Sequence, residues 1–160
     1  MFKFLKVIHI LGVAMFLGSI FAHIATGQVP GAADNPPAML FARQTIELAT
    51  RYVTLPGLVL AIVSGASMVA GGYPGTLKQR WLVPHVAAAA AIAAISAIVM
   101  IPVGHDLVAA AKAVVAGTMT PEAFAGSAMR EHLFGAVNIL LAFAAIVLGI
   151  AKPRLSQGRT

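Results

Sequence analysis

Apolar residues dominate this chain in four long stretches that are separated by short polar or turn-forming segments. A helix needs roughly 20 apolar residues to span a bilayer. Four stretches meet that length, at about residues 4–25, 52–70, 81–101 and 133–150. The alternating segment from Ala38 to Tyr52 either extends the second helix or lies in the membrane interface. The pattern predicts an all-α integral membrane four-helix bundle, with residues 1–160 as a single transmembrane domain.

Turn-forming residues separate the four stretches. GQVPGAADNPP at residues 27–37 predicts a loop, GGYPG at residues 71–75 a tight reversal, and Pro102 and Lys152-Pro153 the ends of the third and fourth spans. Thr120 followed by Pro121 and Glu122 is typical of an N-cap with proline at the first helical position. No sequence repeat is evident between the two halves.

Composition and charge support a membrane location and indicate an orientation. Hydrophobic residues make up 59% of the chain and charged residues 10%, whereas an average soluble domain is about 25% charged. Seven basic and no acidic residues lie on the side of the two termini: Lys3, Lys6, Lys78, Arg80, Lys152, Arg154 and Arg159. The other side holds four basic and all five acidic residues: Arg43, Arg51, Lys112, Arg130, Asp34, Glu47, Asp106, Glu122 and Glu131. The positive-inside rule therefore predicts a multi-pass protein of a bacterial-type inner membrane with both termini in the cytoplasm. The net charge of +6 then reports topology and contact with anionic lipid, and predicts no nucleic-acid partner.

Five histidines are the main candidates for chemistry, because the chain has no cysteine and polar residues inside a membrane are costly. His9 and His85 are predicted to lie at similar depth on the cytoplasmic side, since His85 follows the interfacial Trp81 by four residues. A stripe on one face of the first helix contains His9, Gly12, Phe16, Ser19 and His23. Haem iron takes imidazole ligands, and bundle cores hold such cofactors between facing helices. The sequence therefore predicts haem b bound by His9 and His85, with Gly12, Phe16 and Gly18 shaping the pocket.

The remaining histidines lie near the outer side of the predicted bundle. His23 and His132 match in depth and are candidate ligands of a second haem, with His105 as another candidate partner of His23. The alternative is that each histidine only forms hydrogen bonds between helices or with water. Thioether and imidazole groups also suit Cu(I), but the methionines are dispersed and methionine usually serves packing. The alanine-rich third span suits either a homodimer or packing within one bundle.

Several segments resemble one known family. Lys6 to Gly18 (KVIHILGVAMFLG) resembles the first helix of HemJ-type protoporphyrinogen oxidases and CopD-like membrane proteins, with its Lys/Arg-x-x-His start and an aromatic residue seven positions after the histidine. Thr54 to Gly65 (TLPGLVLAIVSG) and Trp81 to His85 (WLVPH) are similar to the next two helices. Asn138 and Lys152-Pro153 are similar to the fourth helix and its ending. The resemblance implies a four-helix membrane protein that binds haem b through His9.

Two departures from that family change the expected activity. The family's functional lysine aligns with His85, and its arginine near the end of the first helix is absent, with His23 close by. Both differences favour bis-histidine ligation over porphyrinogen oxidation. The sequence therefore predicts a membrane b-type cytochrome for electron transfer, with a quinone or a redox protein as partner. The alternatives are a porphyrinogen-oxidising enzyme and a copper-handling transport protein, and the sequence leaves open whether the chain is an oxidoreductase.

Overall fold

Four helices make up most of the computed structural model, which describes residues 2–28, 35–72 and 79–152. Helix α1 is Phe2–Gly27, α2 is Pro36–Ala70, α3 is Leu82–Val115 and α4 is Pro121–Ala151. These three ranges contain no strand. All four helices are long and apolar enough to cross a membrane, which confirms the predicted all-α, four-helix membrane fold. Parts of the predicted turns lie outside the described residues: 29–34, 73–75 and Pro153. The same is true of four charged residues that the orientation argument used: Asp34, Lys78, Arg154 and Arg159.

Helices α2 and α3 each continue through a proline by widening one turn. A π-helical turn at Thr50–Thr54 precedes Pro56 in α2, and another at Ser96–Met100 precedes Pro102 in α3. Proline lacks an N–H donor, and its ring clashes with the carbonyl four residues before it. A wider turn accommodates both effects without ending the helix. The prediction that Pro102 closes the third helix is therefore wrong, because α3 runs on to Val115.

Helix α4 begins and ends as its sequence predicts. The Thr120 side chain accepts a hydrogen bond from the Ala123 N–H, which confirms the N-cap, with Pro121 as the first helical residue. At the other end Lys152 adopts a left-handed conformation with φ of 42° and ends the helix. The helix is longer than the apolar stretch at about residues 133–150, because its first three turns are amphiphilic.

The helices pack as two antiparallel pairs, α1 with α2 and α3 with α4. We call the end of the bundle where α1 begins and α4 ends the proximal end, and the opposite end the distal end. The two pairs join mainly at the distal end, where Met39 of α2, Leu107 and Ala111 of α3, and Phe124 and Ala128 of α4 form a buried cluster. A smaller cluster of Phe16, Ile92 and Ala142 joins the pairs near mid-bundle.

Large apolar side chains cover the outside of the bundle. Exposed examples occur on every helix: Ile10, Phe21, Val59, Val63, Val86, Ile98, Leu140, Val147 and Ile150. Such a surface is unfavourable in water and favourable in lipid. The acidic residues within the described ranges, Glu47, Asp106, Glu122 and Glu131, all lie in the distal parts of their helices.

Candidate functional site

The structure brings His9 of α1 and His85 of α3 together at the proximal end. Their ring centroids are 6.3 Å apart, and the ring planes are tilted by 48°. Both side chains are half-buried. The two residues come from different helix pairs, so the fold, rather than a local motif, creates the juxtaposition.

Each of these two histidines is bound to a backbone carbonyl of the other helix in its own pair. The Nδ1–H of His9 donates to the Ala61 carbonyl oxygen at 2.8 Å, and the Nδ1–H of His85 donates to the Ala145 carbonyl oxygen at 2.9 Å. A carbonyl oxygen can only accept, so the proton of each neutral ring must be on Nδ1. Each Nε2 then carries the lone pair. A hydrogen bond of this kind is the usual way in which a protein orients a metal-binding imidazole.

A glycine lies beside each ring, one turn after the carbonyl that the ring contacts. A Cβ on Gly65 would lie 3.2 Å from His9 Cε1, and a Cβ on Gly149 would lie 3.5 Å from His85 Cε1. The two glycines end nearly identical segments, AIVSG at residues 61–65 and AIVLG at residues 145–149. The match covers only five residues within apolar helices, so it does not amount to a repeat of the two halves.

Trp81 packs against the second of the two histidines. Its ring meets the His85 ring edge-on at a centroid distance of 5.8 Å, and its own side chain is buried. The indole Nε1–H donates to the Gln79 side-chain oxygen, and the Lys152 Nζ lies 5.7 Å from the indole centroid. These contacts hold Trp81 in place, and Trp81 in turn restricts the His85 ring.

The three residues predicted to shape the pocket have different surroundings. A Cβ on Gly12 would lie 2.5 Å from the Ala61 nitrogen, so this glycine permits the close contact of α1 with α2. Phe16 is buried in the mid-bundle cluster with Ile92 and Ala142. Gly18 is exposed, and an ideal Cβ there would meet nothing within 4 Å.

The other three histidines line one cavity in the distal half of the bundle. The His23 Nε2 is 3.2 Å from the Ser19 hydroxyl, which is 2.6 Å from the Thr54 hydroxyl. The His105 Nδ1 lies 2.7 Å from a Glu47 carboxylate oxygen, and His132 is exposed. The structure thus places His23 and His132, the predicted ligands of a second haem, in the wall of the same cavity. The hydrogen-bond contact of His23, however, is with Ser19 of its own helix.

That distal cavity has a volume of about 800 Å³ and lies among all four helices. Its wall includes an ion pair between Arg43 of α2 and Glu131 of α4. The wall also includes Asn138, which is 4% exposed. Within the described ranges, no group of three or more His, Asp or Glu side chains is arranged to hold a metal ion.

Comparison with known proteins gives a family but no characterised relative. No curated protein and no solved structure matches the chain. The family described as "Predicted integral membrane protein (DUF2269)" matches residues 3–153. The match covers all four helices, and its description agrees with their length and apolar surface. The chain belongs to this DUF2269 family of integral membrane proteins.

Proposed function

We propose that this protein is a membrane b-type cytochrome in which His9 and His85 hold one haem b and which carries out electron transfer. The observation that carries the proposal is the spacing of the two imidazole rings, 6.3 Å between centroids. Imidazole nitrogens bind metals at about 2.0 Å, so two imidazoles that would hold the same metal ion must lie about this close together. The Nδ1 hydrogen bonds support the same reading, because they leave both Nε2 atoms unprotonated.

The surroundings of the pair are consistent with a large planar group. Gly65 and Gly149 keep side chains away from the rings, and α1 comes close to α3 at few positions. Basic residues occupy the same end of the bundle, where they would complement the carboxylates of a bound haem: Lys3, Lys6, Arg80 and Lys152. Haem b supplies reversible one-electron chemistry at its iron when it is bound.

The roles of the chain's own residues follow from these contacts. His9 and His85 would bind through Nε2, the Ala61 and Ala145 carbonyls orient the two rings, and Trp81 restricts the His85 ring. If both histidines held the haem, they would favour electron transfer over catalysis at the iron. The resemblance to HemJ-type and CopD-like proteins supports haem b at His9. The presence of His85 where that family has lysine supports the second ligand.

Haem binding is tested by purifying the protein in detergent from haem-replete cells and measuring its optical spectrum and haem content. We expect about one haem per chain, sharp α and β bands after reduction, and no binding of carbon monoxide. His9→Ala and His85→Ala should each lose the haem. The matched control His105→Ala, which changes an exposed histidine, should keep it. A colourless protein, or one that carries copper instead, would refute the proposal, and rapid carbon monoxide binding would favour a catalytic site.

We also propose that the proximal end faces the cytoplasm of a bacterial-type inner membrane. The support is the charge distribution, with basic residues at the proximal end and the acidic residues of the described ranges at the distal end. The chain has no cysteine, so a single introduced cysteine reports one position. An impermeant thiol reagent added to intact cells should label Ala116→Cys, in the distal turn after α3, and not Lys3→Cys. The reverse pattern would invert the topology.

A further inference from the structure

The distal cavity combines an apolar wall with a few polar groups. Phe16, Ile20 and Ile139 contribute apolar surface, whereas Asn138 and Ser96 contribute polar groups deep within the bundle. A volume of about 800 Å³ is in the range of small-molecule sites in proteins. The cavity therefore has the size and the mixed chemistry of a ligand site.

Two contacts between basic and acidic side chains and one further arginine lie on the cavity wall. Arg43 forms an ion pair with Glu131, and Glu47 contacts His105. The Arg51 guanidinium lies over the Tyr52 ring at 5.7 Å. The two arginines and the two glutamates balance in formal charge. A neutral ligand therefore fits this site better than an anion such as a free phosphate or a lipid headgroup.

Asn138 indicates what the ligand must offer. Its Nδ2 donates to the Ser96 hydroxyl at 3.3 Å. Its Oδ1 is buried and has no hydrogen-bond partner among the described residues. Leaving a buried acceptor unpaired is costly, so this oxygen favours a hydroxyl or N–H donor. Because the oxygen is closed off from the cavity in this conformation, a rotation of the Asn138 side chain must accompany a hydrogen bond to a ligand. Rotation of the amide would let Ser96 donate to Oδ1 and would present Nδ2–H to the ligand, so Asn138 can serve a hydroxyl or a carbonyl.

We infer that the distal cavity binds the head of a quinol or quinone, whose ring carries hydroxyls when reduced and carbonyls when oxidised. Asn138 would pair with one ring oxygen in either form, and the apolar wall would receive the ring. A lipid-soluble ligand can enter such a cavity from the bilayer. Asn138 is seven residues, or roughly 10 Å along α4, from Ala145, the partner of His85. Binding stands on these distal residues alone, whereas its use in electron transfer rests on the proposed haem at His9 and His85.

The test uses the full chain in lipid nanodiscs and a radiolabelled decyl-benzoquinone, in its oxidised and reduced forms. We expect saturable binding of one molecule per chain. Asn138→Leu should weaken binding about tenfold through loss of one buried hydrogen bond. Ile139→Trp, which narrows the cavity without removing Asn138, should also weaken binding. The matched control Ser127→Ala changes an exposed serine on the same helix and should bind as the wild type does.

Haem-free protein separates this inference from the proposed function. The His85→Ala variant should bind the quinone with unchanged affinity, so failure of the haem proposal would leave this result intact. Wild-type affinity in both Asn138→Leu and Ile139→Trp, with circular dichroism that shows a native helix content, would overturn the site. A second haem that is lost in His23→Ala would also overturn it, because that haem would occupy the cavity.

Discussion

Histidines occur at both ends of the bundle, but their partners differ. At the proximal end, His9 and His85 both use Nδ1 to donate to a backbone carbonyl. At the distal end, the His23 Nε2 contacts the Ser19 hydroxyl, and His105 contacts the Glu47 carboxylate. A carbonyl or a carboxylate can only accept, so either one places the proton on the nitrogen it contacts, whereas a hydroxyl accepts or donates. The two ends therefore differ in how their histidines are held: both proximal rings contact carbonyls of a neighbouring helix, whereas His23 contacts a serine of its own helix.

The largest expected effect comes from filling the contact that supports the proximal end. In Gly12→Leu, the new Cβ would lie 2.5 Å from the Ala61 nitrogen and 2.7 Å from the Gly57 carbonyl oxygen. Neither backbone atom can move without separating α1 from α2, so we expect a loss of about 4 kcal/mol or more in the free energy of unfolding. Unfolding by SDS titration in detergent micelles measures it. Gly18→Leu, at a position with open space, should unfold as the wild type does, and equal stability of the two variants would contradict this packing.

The second prediction concerns an ion pair at the distal end of the bundle, far from the proximal histidines. Arg43 and Glu131 are 12% and 18% exposed and join α2 to α4. Arg43→Met leaves the Glu131 carboxylate without its partner and should reduce the free energy of unfolding by about 3 kcal/mol. The double variant Arg43→Met/Glu131→Gln removes both charges and should recover most of that loss.

The same two variants should keep the wild-type haem content, because they leave His9 and His85 untouched. Loss of haem in Arg43→Met at a temperature where the protein stays folded would show that the two ends are coupled. Spectra and SDS titrations on the same samples make the comparison direct.

The sequence was sufficient for the fold and for part of the candidate site. Apolar length predicted four helices, and Thr120 and Pro121 predicted the start of α4. The predicted end of the third helix at Pro102 was wrong because a π-helical turn allows α3 to continue through this proline. No local signal in the sequence distinguishes a proline that ends a helix from one that follows a widened turn. The partners of His9 and His85 are backbone carbonyls, which no side-chain pattern reports. Gly65 and Gly149 could have been found from the AIVSG and AIVLG match between α2 and α4.

The third prediction tests the space beside the proximal rings. Gly65→Leu adds a side chain whose Cβ alone lies 3.2 Å from His9 Cε1. We expect about a tenfold weaker affinity for haem, a cost of about 1.4 kcal/mol, since the larger side chain displaces the ring from its orientation. Titration of haem into haem-free protein, followed by absorbance, measures the affinity.

Gly126→Leu is the matched control, because this glycine lies in the distal part of α4 and has nothing within 4 Å of an ideal Cβ. It should bind haem as tightly as the wild type does. If both leucine variants bind equally well, the glycine beside His9 has no role in cofactor binding.

The smallest expected effect is a change in the midpoint potential of the proposed haem, and it comes from the one position at which the two nearly identical segments differ. Ser64 in AIVSG corresponds to Leu148 in AIVLG, and its hydroxyl lies 3.2 Å from the Ala61 carbonyl oxygen and 3.4 Å from the His9 Nδ1. The hydroxyl donates mainly to the Leu60 carbonyl oxygen at 2.5 Å and makes only a longer, secondary contact with the Ala61 carbonyl, so its competition with His9 for that carbonyl is weak. Ser64→Ala leaves the carbonyl to His9 alone, which strengthens the Nδ1 hydrogen bond and makes the imidazole a better donor to iron. A better donor favours the oxidised iron, so the midpoint potential should fall by about 20 mV, which is about 0.5 kcal/mol. Leu148→Ala, which carries no competing hydroxyl, should leave the potential within a few millivolts of the wild-type value in the same redox titration. A rise in potential in Ser64→Ala would mean that the serine strengthens the His9 hydrogen bond instead of competing with it.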